Sequence, residues 1–148
     1  MFKDVLVPVV GNEADAETIK LACRLARKDK GKIWAVTVVT VKRALPLNAE
    51  IESEIKKAEE ILDRVEDAAG EEDYEVETDV LQAREVGPAI VDEAVERGVS
   101  LILMGVKYKQ TFGQFSLGSA VPYVLKNAPC QVILYSQLNQ LNPDNNIQ

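Results

Sequence analysis

The chain has 148 residues, 47% of them apolar and 28% charged, with a formal net charge of −7. That length suits one hydrophobic core rather than two, enough to bury about two-thirds of the unfolded surface. The acidic balance argues against a general nucleic-acid binder or a protein of anionic membrane surfaces, since both partners reward clustered Lys and Arg.

Two cysteines and no histidine narrow the chemistry further. Cys23 falls inside a predicted helix and Cys130 at the start of a predicted strand, without CxxC spacing, so both read as small core residues and no zinc site is expected. The missing histidine removes the usual general base of serine and cysteine hydrolases. Met1-Phe-Lys-Asp4 leads straight into a strand rather than a signal peptide, and no apolar run approaches the roughly 18–20 residues of a membrane span. A cytoplasmic location is the expectation.

Val5 to Val10 is a continuous apolar run ending at Gly11-Asn12, which predicts a buried central strand feeding a turn, with Pro8 the one residue that argues against it. From Ala14 to Lys28, Ile19, Ala22, Cys23 and Ala26 recur at helical spacing; Glu13, Asp15 and Glu17 lie at the start and Arg27 and Lys28 at the end, as a helix dipole favours. Ile33 to Val41 is rich in β-branched residues and predicts a second strand. The connection after it carries Lys42, Arg43 and Pro46, the two basic residues standing just past a strand end where solvated charge or an anionic ligand would both fit. A helix over about Ala49 to Ala69 follows, with Ile51, Ile55, Ala58, Leu62 and Val65 on one face and the i,i+4 pairs Glu52/Lys56 and Glu60/Arg64 on the other.

Val76, Thr78 and Val80 alternate with Glu75, Glu77 and Asp79, the pattern of a strand solvated on one face and therefore at a sheet edge. Gln82 to Glu85 connects to a helix from about Val86 to Arg97, with Pro88 in its first turn, Ile90, Val91, Ala94 and Val95 facing inward, and Gly98 ending it. Leu101 to Gly105 is a buried strand that runs into a long polar loop, and Gly118-Ser119 opens a helix from Ala120 to Asn127. Cys130 to Tyr135 is the fifth strand. Beyond it the chain turns amide-rich around Pro143, so residues 1–137 read as the domain and 138–148 as a disordered polar tail.

Strands alternating with helices imply a parallel sheet covered on both faces. The two most apolar strands, first and fourth, belong in the centre and the alternating third at an edge, which gives a doubly wound five-stranded sheet of order 3-2-1-4-5. The topological switch then lies between strands one and four, where ligands of open parallel sheets bind. A Gly-rich strand-to-helix junction there suits phosphate, because glycine lets backbone approach and a helix N-terminus presents unpaired N–H groups; Gly118 as a turn residue and Ser119 as a helix cap is the structural alternative.

Gly105, Gly118 and Ser119 fall on the frame of a known signature: strand-ending Gly, Gly after two residues, then Gly-Ser or Gly-Thr after nine more. With the order of elements from Met1 to about Gln137, the chain resembles the universal stress protein family. The resemblance implies a Rossmann-like, adenine nucleotide α-hydrolase-like fold. It would place adenine against Val10 and Val38, with Met104 and Gly105 beside it, and ribose and phosphates along the loop from Val106 to Ser119, where Lys107 and Tyr108 stand. It also implies a homodimer formed through the last strand, Gln131 to Tyr135, and a role in stress response.

Two positions depart from the pattern. Nucleotide-binding members usually carry Asp where this chain has Val10, and Gly where it has Tyr108. The expectation is therefore a non-enzymatic binding or regulatory module that requires no cofactor and holds ATP or AMP weakly if at all, acting through dimerisation or an unknown protein partner, with no nucleic-acid or membrane partner. The competing readings are a functional ATP/AMP-binding stress protein whose loop tolerates both changes, an enzyme of the related α-hydrolase superfamily, and a receiver domain; the last needs an acidic cluster that Val10 and Leu81 do not provide.

Overall fold

The computed structural model describes residues 2–109, 114–115 and 119–136, with 108–109 and 114–115 as backbone only; the expected tail, 138–148, and Gly118 lie outside the described residues. The main sheet comprises β1 (Val5–Pro8), β2 (Ile33–Thr40), β3 (Glu77–Ala83), β4 (Leu101–Gly105) and β7 (Gln131–Tyr135), all parallel, in the order β3-β2-β1-β4-β7. This is the order 3-2-1-4-5 expected from the apolar patterning. Four helices connect the strands: α1 (Ala14–Arg27), α2 (Glu52–Glu71), α3 (Val86–Arg97) and α4 (Ala120–Asn127).

The pleat divides each strand's side chains between two cores. Val5, Val7 and Val9, with Leu101 and Leu103, pack under α1 and α2 against Ile19, Cys23 and Leu62. Leu6, Val36, Ile102 and Met104 pack on the opposite face under α3 and α4 against Ile90, Val121 and Val124. β3 and β7 are the edges, and β3 is solvated at Glu77 and Asp79, which is why its sequence alternates.

Pro8 is accommodated by register. The N–H groups of Val5 and Val9 donate toward β2, to Lys32 O at 2.9 Å and Val36 O at 2.8 Å. Successive strand N–H groups point to opposite sides, so position 8 faces β4, and the β1–β4 pairing ends earlier, at Leu6↔Ile102. The proline therefore forfeits no ladder bond and stands where the two central strands part.

Three readings of the sequence need correction. Val95 is 63% exposed rather than inward-facing, because the stripe that meets the sheet is Ile90, Val91 and Ala94, and position 95 lies about 100° further round the helix than Ala94. The long loop after β4 is not wholly irregular: β5 (Tyr108–Lys109) and β6 (Gln114–Phe115) pair antiparallel, a hairpin too short to leave a periodic signal. The pairs Glu52/Lys56 and Glu60/Arg64 are not formed; α1 instead pairs with the end of α2 and its C-cap, Lys20–Glu71 at 3.4 Å and Arg24–Glu72 at 3.1 Å, beside one internal pair, Lys20–Glu17 at 4.0 Å, and an exposed i,i+4 pair worth about 0.3–0.5 kcal/mol does not outweigh side-chain freedom. Element ends also shift: β3 continues through Gln82 and Ala83 because β2 pairs with it as far as Thr40↔Ala83.

Candidate functional site

A cleft of about 310 Å³ opens beyond the C-terminal ends of β1 and β2, between them and the first half of α2. Parallel strands all present their carboxyl ends here, and the sheet's helices diverge above them. Its walls are mostly aliphatic. Pro8, Val9 and Val10 come from β1 and the turn after it, Val36, Val38 and Val39 from β2, Ala58 and Ile61 from α2, and Val86 from the start of α3. Val10 is 39% exposed, an apolar side chain left in the open at the cleft. The polar lining is Thr37 and Thr40 on β2 with Glu54 and Lys57 on α2.

Ile61 separates this cleft from a second hollow of about 270 Å³ around the N-terminus of α1, lined by Gly11, Asn12, Glu13, Asp15 and Arg64. The turn from β1 to α1 depends on Gly11, whose φ is +89° and which has Ile61 directly against it. Asp15 holds the turn: one carboxylate oxygen accepts from the Gly11 N–H at 2.7 Å and the other from the Val10 N–H at 3.3 Å. Burial pushes the Asp15 carboxyl above its ordinary range, against the pull of the same N–H groups and of Arg64. Asn12 Oδ1 accepts from the Ala14 N–H at 2.9 Å, closing the first turn of the helix. Glu13 forms an ion pair with Lys107, tying the end of β4 to the start of α1.

The residues anticipated from sequence separate into groups. Val10 and Val38 both line the cleft. Met104 is fully buried in the core beneath α3 and α4, and Gly105 is packed against α1: a Cβ at position 105 would lie 1.9 Å from Thr18 Oγ1. Lys107 is on the far side of the switch, engaged with Glu13. Tyr108 is in the backbone ladder of β5, paired with Phe115. Ser119 occupies the N-cap position of α4, with no side-chain cap bond, and is exposed. Gly118 lies outside the described residues.

Sequence reasoning missed Asp15 and Lys57. Asp15 was read only as a charge favourable to the helix dipole; the legible signal is an Asp four residues after a turn glycine, within reach of its amide. Lys57 leaves no signal beyond membership of a charged helix face, because its place at the cleft depends on how α2 packs.

Cys23 is buried, and burial pushes its thiol up to about 11, while burial also raises Cys130. Both fit packing rather than redox chemistry. Among the described residues no group of three or more His, Cys, Asp or Glu is arranged to hold a metal ion, and no helix is long and apolar enough to cross a membrane.

A doubly wound parallel sheet with its cleft at the carboxyl ends of the strands defines the class: an α/β domain of the Rossmann-like, nucleotide-binding type. The Universal stress protein family matches residues 1–136, and the chain belongs to that family. Universal stress protein MJ0531 of Methanocaldococcus jannaschii is 30% identical over 140 residues, covering 90% of this chain and 82% of the relative. A universal stress protein from Archaeoglobus fulgidus superposes with a TM-score of 0.74 at 21% identity, covering 90% of this chain and 98% of that one. A structure of the universal stress protein from the same organism in complex with dAMP gives 0.71 at 21%, covering 90% and 97%.

Proposed function

We propose that the chain is a non-enzymatic regulatory module of the stress response whose affinity for adenine nucleotides is weak. The dAMP complex of a relative supports a nucleotide as the kind of ligand, and the carboxyl end of the sheet is where open parallel sheets hold theirs. The observation that carries the weakness is Val10. It lines the cleft where nucleotide-binding members of the family usually hold a carboxylate, and its side chain accepts no hydrogen bond from a base or ribose. A lost charge-assisted bond costs about 1.5–3 kcal/mol, and a side chain at position 108 in place of glycine adds a steric cost of similar size. Together they amount to two to three or more orders of magnitude in affinity. The absence of histidine, and Glu54 as the one carboxylate among the residues lining the cleft, support a binding rather than a catalytic role.

The proposed assembly is a homodimer through β7, an edge strand paired only with β4 among the described residues. Calorimetry with ATP tests the nucleotide reading. The unmodified protein should show no micromolar binding, and Val10→Asp with Tyr108→Gly should gain more than either change alone, since the two act on opposite ends of one ligand. Micromolar ATP binding by the unmodified protein, or no gain in a folded double variant, overturns it.

A further inference from the structure

We infer that the cleft beyond β1 and β2 is a binding site for a straight-chain aliphatic monoanion, with its chain against the valine walls and its carboxylate on Lys57. The inference rests on the reading above only in taking that cleft as the ligand site. Nine of the thirteen lining residues are apolar, and Val10 leaves an aliphatic surface exposed. The polar lining is Thr37 and Thr40 of β2 with Glu54 and Lys57 of α2, and Thr37 shares the strand face of Ile33 and Ala35 that packs under α2.

Charge distinguishes a monoanion from a polyphosphate. Among the described residues around the β1–α1 turn and the end of β4, the chain's own carboxylates already engage Lys107, through Glu13, and the amides of Val10 and Gly11, through Asp15. The cleft itself offers a single cation, Lys57, beside a single anion, Glu54. Lys57 makes no ion pair among the described residues, whereas Glu54 repels each added negative charge. One carboxylate satisfies that arrangement and several phosphate charges do not.

Volume sets the chain length. A methylene occupies about as much space as a water molecule, whose share of the liquid is about 30 Å³, so 310 Å³ accommodates on the order of eight to ten carbons. Each buried methylene contributes about a fourfold gain in affinity.

Titration calorimetry of the full chain with butyrate, hexanoate, octanoate, decanoate and dodecanoate, each below its micellar concentration, tests this. Affinity should rise about fourfold per carbon and level off near ten. Lys57→Gln, at a helix surface position, should weaken octanoate about tenfold and leave 1-octanol unchanged, while Val10→Asp should weaken both. Absence of octanoate and decanoate binding at millimolar concentration, a rise that continues without a plateau, or equal binding by Lys57→Gln overturns the inference. Its failure is separable from failure of the nucleotide reading, because absence of octanoate binding overturns the inference and leaves weak ATP binding, measured in its own titration, untouched.

Discussion

Gly105 stands at the first position of the loop signature, yet the structure gives it a packing reason that needs no ligand. A Cβ added there meets Thr18 Oγ1 at 1.9 Å, Thr18 Cβ at 3.0 Å and Cγ2 at 3.2 Å. Real Cβ atoms keep beyond 3.0 Å, so Gly105→Ala requires more than 1 Å of movement by α1 or rotation of a buried threonine whose hydroxyl donates to Ala14 O at 2.7 Å. Overpacking of this kind costs about 1–3 kcal/mol, and loss of the hydroxyl's bond about 1 kcal/mol more. The expected total is about 2–4 kcal/mol, or a fall in Tm of roughly 5–12 °C for a domain of this size. Thr18→Ala alone removes a buried methyl and hydroxyl at a cost of about 1 kcal/mol, but in the Gly105→Ala background it deletes the two side-chain atoms beyond Cβ that the new methyl meets. Urea unfolding of the four proteins should therefore show a coupling of at least about 1 kcal/mol between the sites. Additive costs, or a Gly105→Ala protein within about 0.5 kcal/mol of the unmodified chain, would refute the packing argument.

The proposed dimer should appear in light scattering of the unmodified protein at tens of micromolar, on the order of ordinary working concentrations, and a monomer there refutes it. Val132→Lys should lower the dimer fraction; because Val132 also packs against the α3–α4 core, the comparison is made at equal folded population. Asp15→Asn should cost about 1 kcal/mol by putting an NH2 donor in place of one of the two oxygens that accept from backbone N–H groups. Because burial raises the Asp15 carboxyl above 3.8, protonation favours the folded chain, and the stability that depends on it is lost as pH rises through the raised value. The deficit of Asp15→Asn relative to the unmodified protein should accordingly shrink from pH 4 to 7 in denaturant titrations.

Much of the fold was legible because burial leaves periodic marks. The unbroken apolar run at Val5 to Val10 and the alternation at Glu75 to Val80 place one strand in the centre and the other at an edge, and short crossovers do the rest. Val95 was misread because an apolar residue one position beyond a stripe carries no mark of which way the helix turns it. The hairpin Tyr108–Lys109 with Gln114–Phe115 was invisible because two-residue strands have no period. For the site, the apolar lining at Val10 and Val38 was readable from strand position. Lys57 and the jobs of Glu13 and Asp15 were not, since they arise from helix packing and from a turn whose amides need an acceptor.

Those jobs determine what kind of ligand the cleft rewards. Among the described residues no buried side-chain nitrogen or oxygen lacks a partner, so a polar ligand group that reaches one of them exchanges one hydrogen bond for another. The net gain from such exchanges is about 0.5–1.5 kcal/mol each at best, and smaller where the partner displaced is a carboxylate already holding two N–H groups, as Asp15 does. Apolar contact is different, because the exposed face of Val10 has only water to lose, and its burial contributes at about 25 cal/mol per Å² without displacing any internal bond. Pro8 and Val10 together thus alter the balance at the switch point: the first stands where β1 and β4 separate without loss of a ladder bond, and the second lines the opening with hydrocarbon. Restoring a carboxylate at position 10 reverses only the second of these, which is why it should improve ATP binding and weaken the aliphatic acid in the same protein.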